Sequence, residues 1–321
     1  MSTPVSIPSL PPAPDCSHLL ANLSEYSESA VQPEKRLVET PLDNLPDIPI
    51  ILHVVSEIER NAVLHLMTPL AARNSEEAAI WDVTIASNYT QLRGFVGTYG
   101  RYPICLVQSD RESLKMIVTV QAAISAFRPS VIIAVGTQFG RDPISQRPGD
   151  VIVSNSIYDC SRRTMTQIDA SLLQQFQSIT GWAIEHPYHQ AKTGPSHEKK
   201  WVLSIVAPII SGQELAYGFC AFPTTKAGEL EGLVIHDLAV MAGAKFIVVK
   251  AISEFAGGNT KDWQPFAAHC AASLVHKVLS NRGFAAALRL DQRPQRVACQ
   301  ACKFCPSSAC KFCPNCGSRF A

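Results

Sequence analysis

Apolar and polar positions follow two different patterns along the middle of the chain. Continuous apolar runs predict strands buried on both faces of a sheet, and they are residues 48–55, 102–108, 130–136, 150–157 and 245–253. Apolar residues at helical spacing predict helices over residues 57–67, 113–127, 236–244 and 264–279. Strands that alternate with helices in this way predict an α/β fold.

The two ends of the chain lack these patterns. Residues 1–47 are rich in Pro and Ser and hold few large apolar side chains, which predicts a flexible extension. Residues 48–289 form the predicted α/β domain. Residues 290–298 are polar and predict a linker to a short Cys-rich module at residues 299–321.

Composition narrows the class of protein. The chain has 321 residues, of which 46% are hydrophobic, and this is enough apolar material for a sizeable core. The formal net charge is only +1, which argues against nucleic acid or an anionic membrane as a partner. Neither a membrane-spanning apolar run nor a secretory signal is recognised in the sequence, so we expect a cytoplasmic protein.

Six of the eleven cysteines lie within the last 23 residues, in repeated Cys-x2-Cys spacing. This spacing predicts a structural zinc site of the ribbon type, because a Cys-x2-Cys turn presents two thiolates to one metal ion. The expected ligands are Cys299, Cys302, Cys313 and Cys316. Cys305 or Cys310 could replace a member of this set, and an iron–sulfur cluster is the alternative.

Four segments of the α/β domain occur in a characteristic order. They are VIIAVGTQFGRDP (131–143), PGDVIVSNSI (148–157), ELEG (229–232) and KAISEFAGG (250–258). Together with the predicted helix that follows, they resemble the nucleoside phosphorylase and nucleosidase superfamily, and in particular 5′-methylthioadenosine/S-adenosylhomocysteine nucleosidases. The resemblance implies a three-layer α/β/α domain with a central mixed sheet, a homo-oligomer, and cleavage of the N-glycosidic bond of a purine nucleoside or nucleotide.

The resemblance also implies two catalytic residues. Glu254 stands where the family has the carboxyl group that protonates the departing base. The family usually has Asp there, and the longer Glu is expected to weaken activity because it shifts the acid by about an angstrom. Glu59 matches the family Glu that positions the attacking water, and Glu57 is the alternative in sequence register.

Substrate-binding positions follow from the same resemblance. Glu231 matches the carboxylate that accepts hydrogen bonds from the ribose 2′ and 3′ hydroxyl groups. Leu230 is expected on the sugar, Leu215 on the base, and Trp263 near the 5′ substituent. The expected Gly-rich loop comprises Gly136, Thr137, Gln138 and Phe139, and Lys250 is expected to orient Glu254.

The sequence leaves the reaction and the 5′ substituent open. Because the segment SDRESLK (109–115) lacks a Gly-rich run for phosphate, hydrolysis is favoured over phosphorolysis. A nucleotide substrate would need cations for its phosphates, and the candidates are Arg101, Arg111, Arg141, Arg147, Arg162 and Arg163. Two other hypotheses are a weakened enzyme that serves as a nucleotide-binding protein, and an adaptor whose zinc tail recruits a protein partner.

Overall fold

The computed structural model describes residues 37–73, 77–86, 91–110, 113–186, 201–212, 215–255 and 261–290. Within these ranges the strands are β1 Leu37–Glu39, β2 Ile50–Val54, β3 Leu70–Ala71, β4 Ala78–Ala86, β5 Gln91–Tyr99, β6 Tyr102–Gln108, β7 Val131–Gly140, β8 Val151–Asp159, β9 Thr164–Gln167, β10 Ser204–Ser211, β11 Ala227–Glu229 and β12 Lys245–Phe255. The helices are α1 Glu57–Leu66, α2 Ser113–Phe127, α3 Ala170–Gln177, α4 Leu215–Ala221, α5 Gly232–Met241, α6 Gln264–Leu279 and α7 Phe284–Leu288, with short 3-10 turns at Leu42–Asn44 and Lys261–Trp263.

One mixed sheet connects almost all of these strands. Strands β7, β11, β10, β8 and β12 pair in that order, and β12 pairs again with β7, so the five strands close into a barrel. From β7 the sheet continues as an open wing in the order β2, β6, β5, β4 and β1. The expected central mixed sheet is therefore confirmed, and β7 is the strand that the barrel and the wing share.

Helices pack on one another and against the shared strand β7 and its neighbour β12. Helices α1 and α6 pack on each other, as do α2 and α5, and both α5 and α6 contact β7 and β12. Almost every side chain of β7 and β12 is buried, as expected for strands that belong to the barrel and also contact helices. Among the described residues, no helix is long and apolar enough to cross a membrane.

The first predicted domain boundary differs from the structure. Residues 37–47 fall in the predicted extension, yet Leu37–Glu39 pairs in parallel with β4 and the side chain of Leu45 is 2% exposed. Backbone pairing with a sheet edge holds this segment, and its low content of large apolar residues gave no sign of it. Residues 1–36 lie outside the described residues.

Strand order creates an edge suited to ligand binding. Strands β6, β2 and β7 are parallel neighbours, although β2 comes first in the chain. The chain therefore passes through α2 from one side of β2 to the other. Ligands of open α/β sheets bind beyond the carboxyl ends of the strands at such a reversal.

Candidate active site

Glu59 makes hydrogen bonds both to the start of α1 and to the carboxyl half of strand β7. Its Oε2 accepts hydrogen bonds from the backbone N–H groups of Val55 (2.9 Å) and Ser56 (3.0 Å), which forms a capping box with Ser56. Its Oε1 accepts from the backbone N–H (2.8 Å) and the hydroxyl group (3.1 Å) of Thr137. A Cβ atom at Gly136 would lie 2.3 Å from Oε1, so only glycine permits this approach.

A buried ion cluster lies on the neighbouring strand β12. The Lys250 ammonium donates hydrogen bonds to Glu229 Oε2 at 3.0 Å and to Glu231 Oε2 at 2.8 Å. All three side chains are at most 4% exposed. Glu229 also accepts from the backbone N–H groups of Glu231 and Gly232, so it fixes the start of α5. Glu231 therefore has a defined position at the N-terminus of that helix.

Burial and charge shift the pKa values of this cluster in different directions. Burial raises the pKa of Glu229, although Lys250 opposes the change. Burial alone would also raise the pKa of Glu231, but the Lys250 charge and its hydrogen bond bring it down to about 2. Burial would lower the pKa of Lys250, and the surrounding carboxylates instead hold it above its ordinary value. At neutral pH the cluster therefore contains an ionised Glu231 beside an ammonium group.

His53 connects this cluster to the end of β6. It is the fourth residue of the apolar strand β2, and its Nε2 lies 2.7 Å from Ser109 Oγ. Burial first, and then the charge of Lys250, lower the pKa of His53 to about 3. The imidazole is therefore neutral at pH 7, where it contacts Ser109 and lies within electrostatic reach of Lys250 and Glu231.

The Gly-rich loop predicted from the sequence is wrong, because Gly136, Thr137, Gln138 and Phe139 all belong to strand β7, whose backbone pairs with β12. This part of β7 lies beside the groups above. Gln138 is buried, and its Nε2 donates to the backbone carbonyl of Lys250 at 2.7 Å. Phe139 is half-buried and pairs across the sheet with Glu254, which is also half-buried. The register shifts between Ile252 and Glu254, and this irregularity sets which residue of β12 lies opposite Phe139.

The structure brings most of the predicted site residues to one edge of the sheet. Glu59, Gly136, Thr137, Glu231 and Lys250 are joined by the contacts above, and Lys250 also interacts electrostatically with Glu59. Glu57, the alternative to Glu59, is 68% exposed and pairs with Arg60 on the surface. The exposed carboxylate of Glu57 therefore does not fit the role of positioning water in this site.

Three other predicted residues have different surroundings. Leu230 is half-buried directly before Glu231. Trp263 is 2% exposed and lies among the rings of His186 and Phe266, in an environment typical of a core aromatic residue. Leu215 begins α4, and its side chain is outside the description. The predicted zinc ligands Cys299, Cys302, Cys313 and Cys316 also lie outside the described residues.

His53, Ser109 and the role of Glu229 were not predicted from the sequence. A lone His inside an apolar strand is usually a satisfied core residue, so its pattern carries no functional signal. Glu229 could have been found, because it stands two positions before Glu231 and precedes a helix. A paired acid at such a place stabilises a helix N-terminus.

Most of the predicted phosphate-binding arginines are engaged elsewhere. Arg141 donates to the backbone carbonyls of Phe222 and Thr225, and buried Arg147 donates to that of Trp201. Arg101 donates to a carbonyl at the end of α6, and Arg162 pairs with the buried Asp159 and the exposed Asp237. Arg163 is exposed, and Arg111 is outside the described residues.

Comparison with curated proteins gives a relative with significant sequence similarity. No family model matches the chain. A protein of Amphimedon queenslandica named "Death domain-containing ATP nucleosidase" is 28% identical over 263 residues. The match covers 71% of this chain and 48% of the relative, so the chain spans about half the length of that protein.

Solved structures show the same fold. The 5′-methylthioadenosine/S-adenosylhomocysteine nucleosidase of Neisseria meningitidis superposes with a TM-score of 0.54 at 15% identity, over 72% of this chain and 98% of that one. S-adenosylhomocysteine nucleosidase of Streptococcus pyogenes gives 0.56 at 18%, over 74% and 98%. Futalosine hydrolase of Helicobacter pylori gives 0.53 at 14%, over 71% and 96%. The chain therefore has an α/β fold like that of these nucleosidases.

Proposed function

We propose that this chain hydrolyses the N-glycosidic bond of a purine nucleoside or nucleotide and releases the free base. The observation that carries the proposal is the buried Glu231–Lys250 pair beside the Glu59–Thr137 contact, at the carboxyl edge of β2, β7 and β12. The name of the relative, an ATP nucleosidase, and the nucleosidase fold support the same class of reaction.

Glu231 is suited to hold the sugar. Its carboxylate is ionised because Lys250 lowers its pKa, and Lys250 occupies only part of its acceptor capacity. An ionised carboxylate accepts hydrogen bonds from both hydroxyl groups of a cis-diol. Lys250 thus acts by keeping Glu231 charged and fixed, which differs from the expected role of orienting Glu254.

Glu59 is suited to position water. Three of its four hydrogen-bond donors are backbone N–H groups, which cannot turn away, whereas the Thr137 hydroxyl group can rotate. A water molecule held between that hydroxyl group and the carboxylate would be aimed at the anomeric carbon of a ribose on Glu231. A fixed carboxylate on the backbone N–H of Thr137 also repels phosphate, which favours hydrolysis over phosphorolysis.

Glu254 is the proposed general acid. It is half-buried opposite Phe139, so its carboxyl group remains partly accessible to a bound base. Protonation of the purine makes it a better leaving group from an oxocarbenium-like sugar.

A base-release assay tests the proposal. Adenosine, inosine, methylthioadenosine, S-adenosylhomocysteine, AMP and ATP are each incubated with purified protein, with and without phosphate. We expect free purine without phosphate, and a loss of at least about a hundredfold in Glu231→Ala because the sugar hydroxyls lose their acceptor. Release that requires phosphate would identify a phosphorylase, and release from none of the six substrates would leave a binding protein.

The Glu at position 254 gives a separate prediction about rate. We expect Glu254→Asp to change the rate constant kcat by about ten- to a hundredfold while KM changes little, because the substitution moves the acid by about an angstrom. Faster release in the variant would show that the native enzyme is weakened. An unchanged kcat would contradict the assignment of Glu254 as the acid.

The remaining proposals rest on sequence alone. We infer from their spacing that Cys299, Cys302, Cys313 and Cys316 bind a structural zinc ion. A module of this size has little core of its own, so the metal would drive its folding. We further propose a homo-oligomer and a protein partner for the zinc-binding module.

A further inference from the structure

A cavity of about 470 Å³, lined by both polar and apolar side chains, opens next to the candidate active site. Its charged lining residues are Arg60, Arg93, Asp110 and Lys115, and the polar Gln108 and Ser109 lie among them. These residues come from α1, from β5, from the end of β6 and from the start of α2. The cavity therefore lies at the same carboxyl edge of the sheet as Glu59.

Two indirect links place the cavity near the ion cluster and Glu59. Ser109, which lines the cavity, contacts His53 at 2.7 Å, and His53 interacts electrostatically with Lys250 and Glu231. On the other side, Arg60 follows Glu59 directly in α1. A ribose held by Glu231 would therefore have this cavity as a neighbour for the substituent on its 5′ carbon.

Cations from three separate elements converge on the cavity, and each is already oriented by a partner. Arg93 pairs with Asp82, and Lys115 pairs with Asp110 at 3.4 Å. Arg60 donates to Glu57 at 2.7 Å and to Gln108 at 3.3 Å.

These cations also remain accessible. The side chains of Arg93 and Lys115 are 49% and 61% exposed, so a ligand can reach them. Asp110 is the one carboxylate among the residues described as lining the cavity, against three cations. A guanidinium group binds phosphate oxygens through paired N–H donors, and an ammonium group adds a point charge.

We propose that this cavity binds the 5′-phosphate chain of a purine nucleotide, with Arg60, Arg93 and Lys115 as the phosphate-contacting residues. The inference rests on the proposed function and narrows the substrate class from nucleosides to nucleoside polyphosphates. It also replaces the arginines expected from the sequence, of which Arg141 and Arg147 donate to backbone carbonyls. Three cations suit a di- or triphosphate better than a single phosphate group.

The test compares substrates that differ only in their phosphates. Values of kcat/KM for base release from adenosine, AMP and ATP are measured for the wild type, for Lys115→Gln, and for a double variant that also carries Arg93→Gln. The control is Arg73→Gln, which breaks a similar surface ion pair. Arg73 Nη2 lies 3.1 Å from Asp47 Oδ1, and neither residue lines the cavity. We expect the ATP-to-adenosine ratio to fall at least about tenfold in the double variant, less in Lys115→Gln, and not in the control.

Each result supports or overturns the cavity as the phosphate site. A wild type that prefers ATP and loses this preference in the cavity variants supports the cavity as the phosphate site. A ratio that stays unchanged in Lys115→Gln and in the double variant, or a wild type without preference for ATP, overturns it. Should no substrate release base, the proposed function fails, and titration calorimetry with ATP then tests the cavity alone. Weaker ATP binding in Lys115→Gln than in Arg73→Gln would support the site, and equal or absent binding would overturn it.

Discussion

Replacement of Lys250 by methionine is expected to lower the free energy of unfolding by about 3–5 kcal/mol and to abolish base release. The ammonium group is the shared partner of Glu229 and Glu231, and all three are buried. Without it, two carboxylates would face each other with little solvent to compensate their charge. Urea denaturation followed by tryptophan fluorescence measures the loss.

The pH dependence of this loss has a definite sign. In the folded wild type the pKa of Glu231 is about 2, below its ordinary value of 4.5, so its contribution to stability is present above pH 4.5 and is lost as the pH falls towards 2. In Lys250→Met both carboxylates become easier to protonate than in the unfolded chain. The difference between variant and wild type should therefore be larger at pH 7 than at pH 4.

Lys245→Met on the same strand is the matched control. Lys245 donates to Asp169 at 2.6 Å, but its side chain is 32% exposed and that of Asp169 is 36% exposed. Such a pair contributes at most about 1 kcal/mol, because solvent screens it. Equal losses in the two variants, or a loss in Lys250→Met that does not depend on pH, would contradict the role given to the buried cluster.

Glu59→Gln is expected to reduce kcat for base release by about 10²- to 10⁴-fold. The carboxylate accepts two hydrogen bonds on each oxygen, whereas an amide presents one oxygen and one NH2 group. Whichever way the amide turns, its NH2 group meets backbone N–H donors of either the helix cap or Thr137. The variant should also lose about 1–3 kcal/mol of stability, because one pair of donors is left unpaired.

Glu57→Gln provides the comparison for this second prediction. Glu57 lies in the same helical turn, is 68% exposed, and was the alternative water-positioning residue in the sequence. We expect its replacement to leave kcat and stability almost unchanged, because the glutamine carbonyl still accepts the hydrogen bond from Arg60. Base release that survives in Glu59→Gln, or is lost equally in Glu57→Gln, would remove Glu59 from the mechanism. Steady-state kinetics with the substrate identified in the release assay supply both values.

The strongest local patterns predicted the fold well. The bounds predicted for β6, α2 and α6 agree with the structure, because each is a continuous apolar run or a helical repeat with a clear end. The antiparallel pair β4 and β5 was missed, since its alternating pattern is weaker than a continuous apolar run. Closure of the barrel depends on pairing between β7 and β12, more than a hundred residues apart, which no local pattern encodes.

The sequence predicted those residues of the candidate site that belong to recognisable motifs. Glu59, Glu231, Thr137 and Lys250 were predicted through resemblance, but the contacts of Glu59 with Thr137 and of Glu231 with Lys250 were not. The contact between His53 and Ser109 joins two strands whose sequences show a lone His and a Ser, each common in ordinary proteins. The association of Lys250 with Glu229 and Glu231 depends on how β12 enters the barrel, so the sequence suggested a different partner for Lys250.

The position of Lys250 on the last strand has a consequence for synthesis. During translation, Glu229 and Glu231 leave the ribosome before Lys250, and β12 must follow before the barrel can close. Until then Glu229 and Glu231 lack the Lys250 ammonium group that neutralises them when they are buried. A fragment that stops before residue 250 would therefore be kept open by its own acids, and proteases that sample unfolded chains would distinguish it from the finished protein.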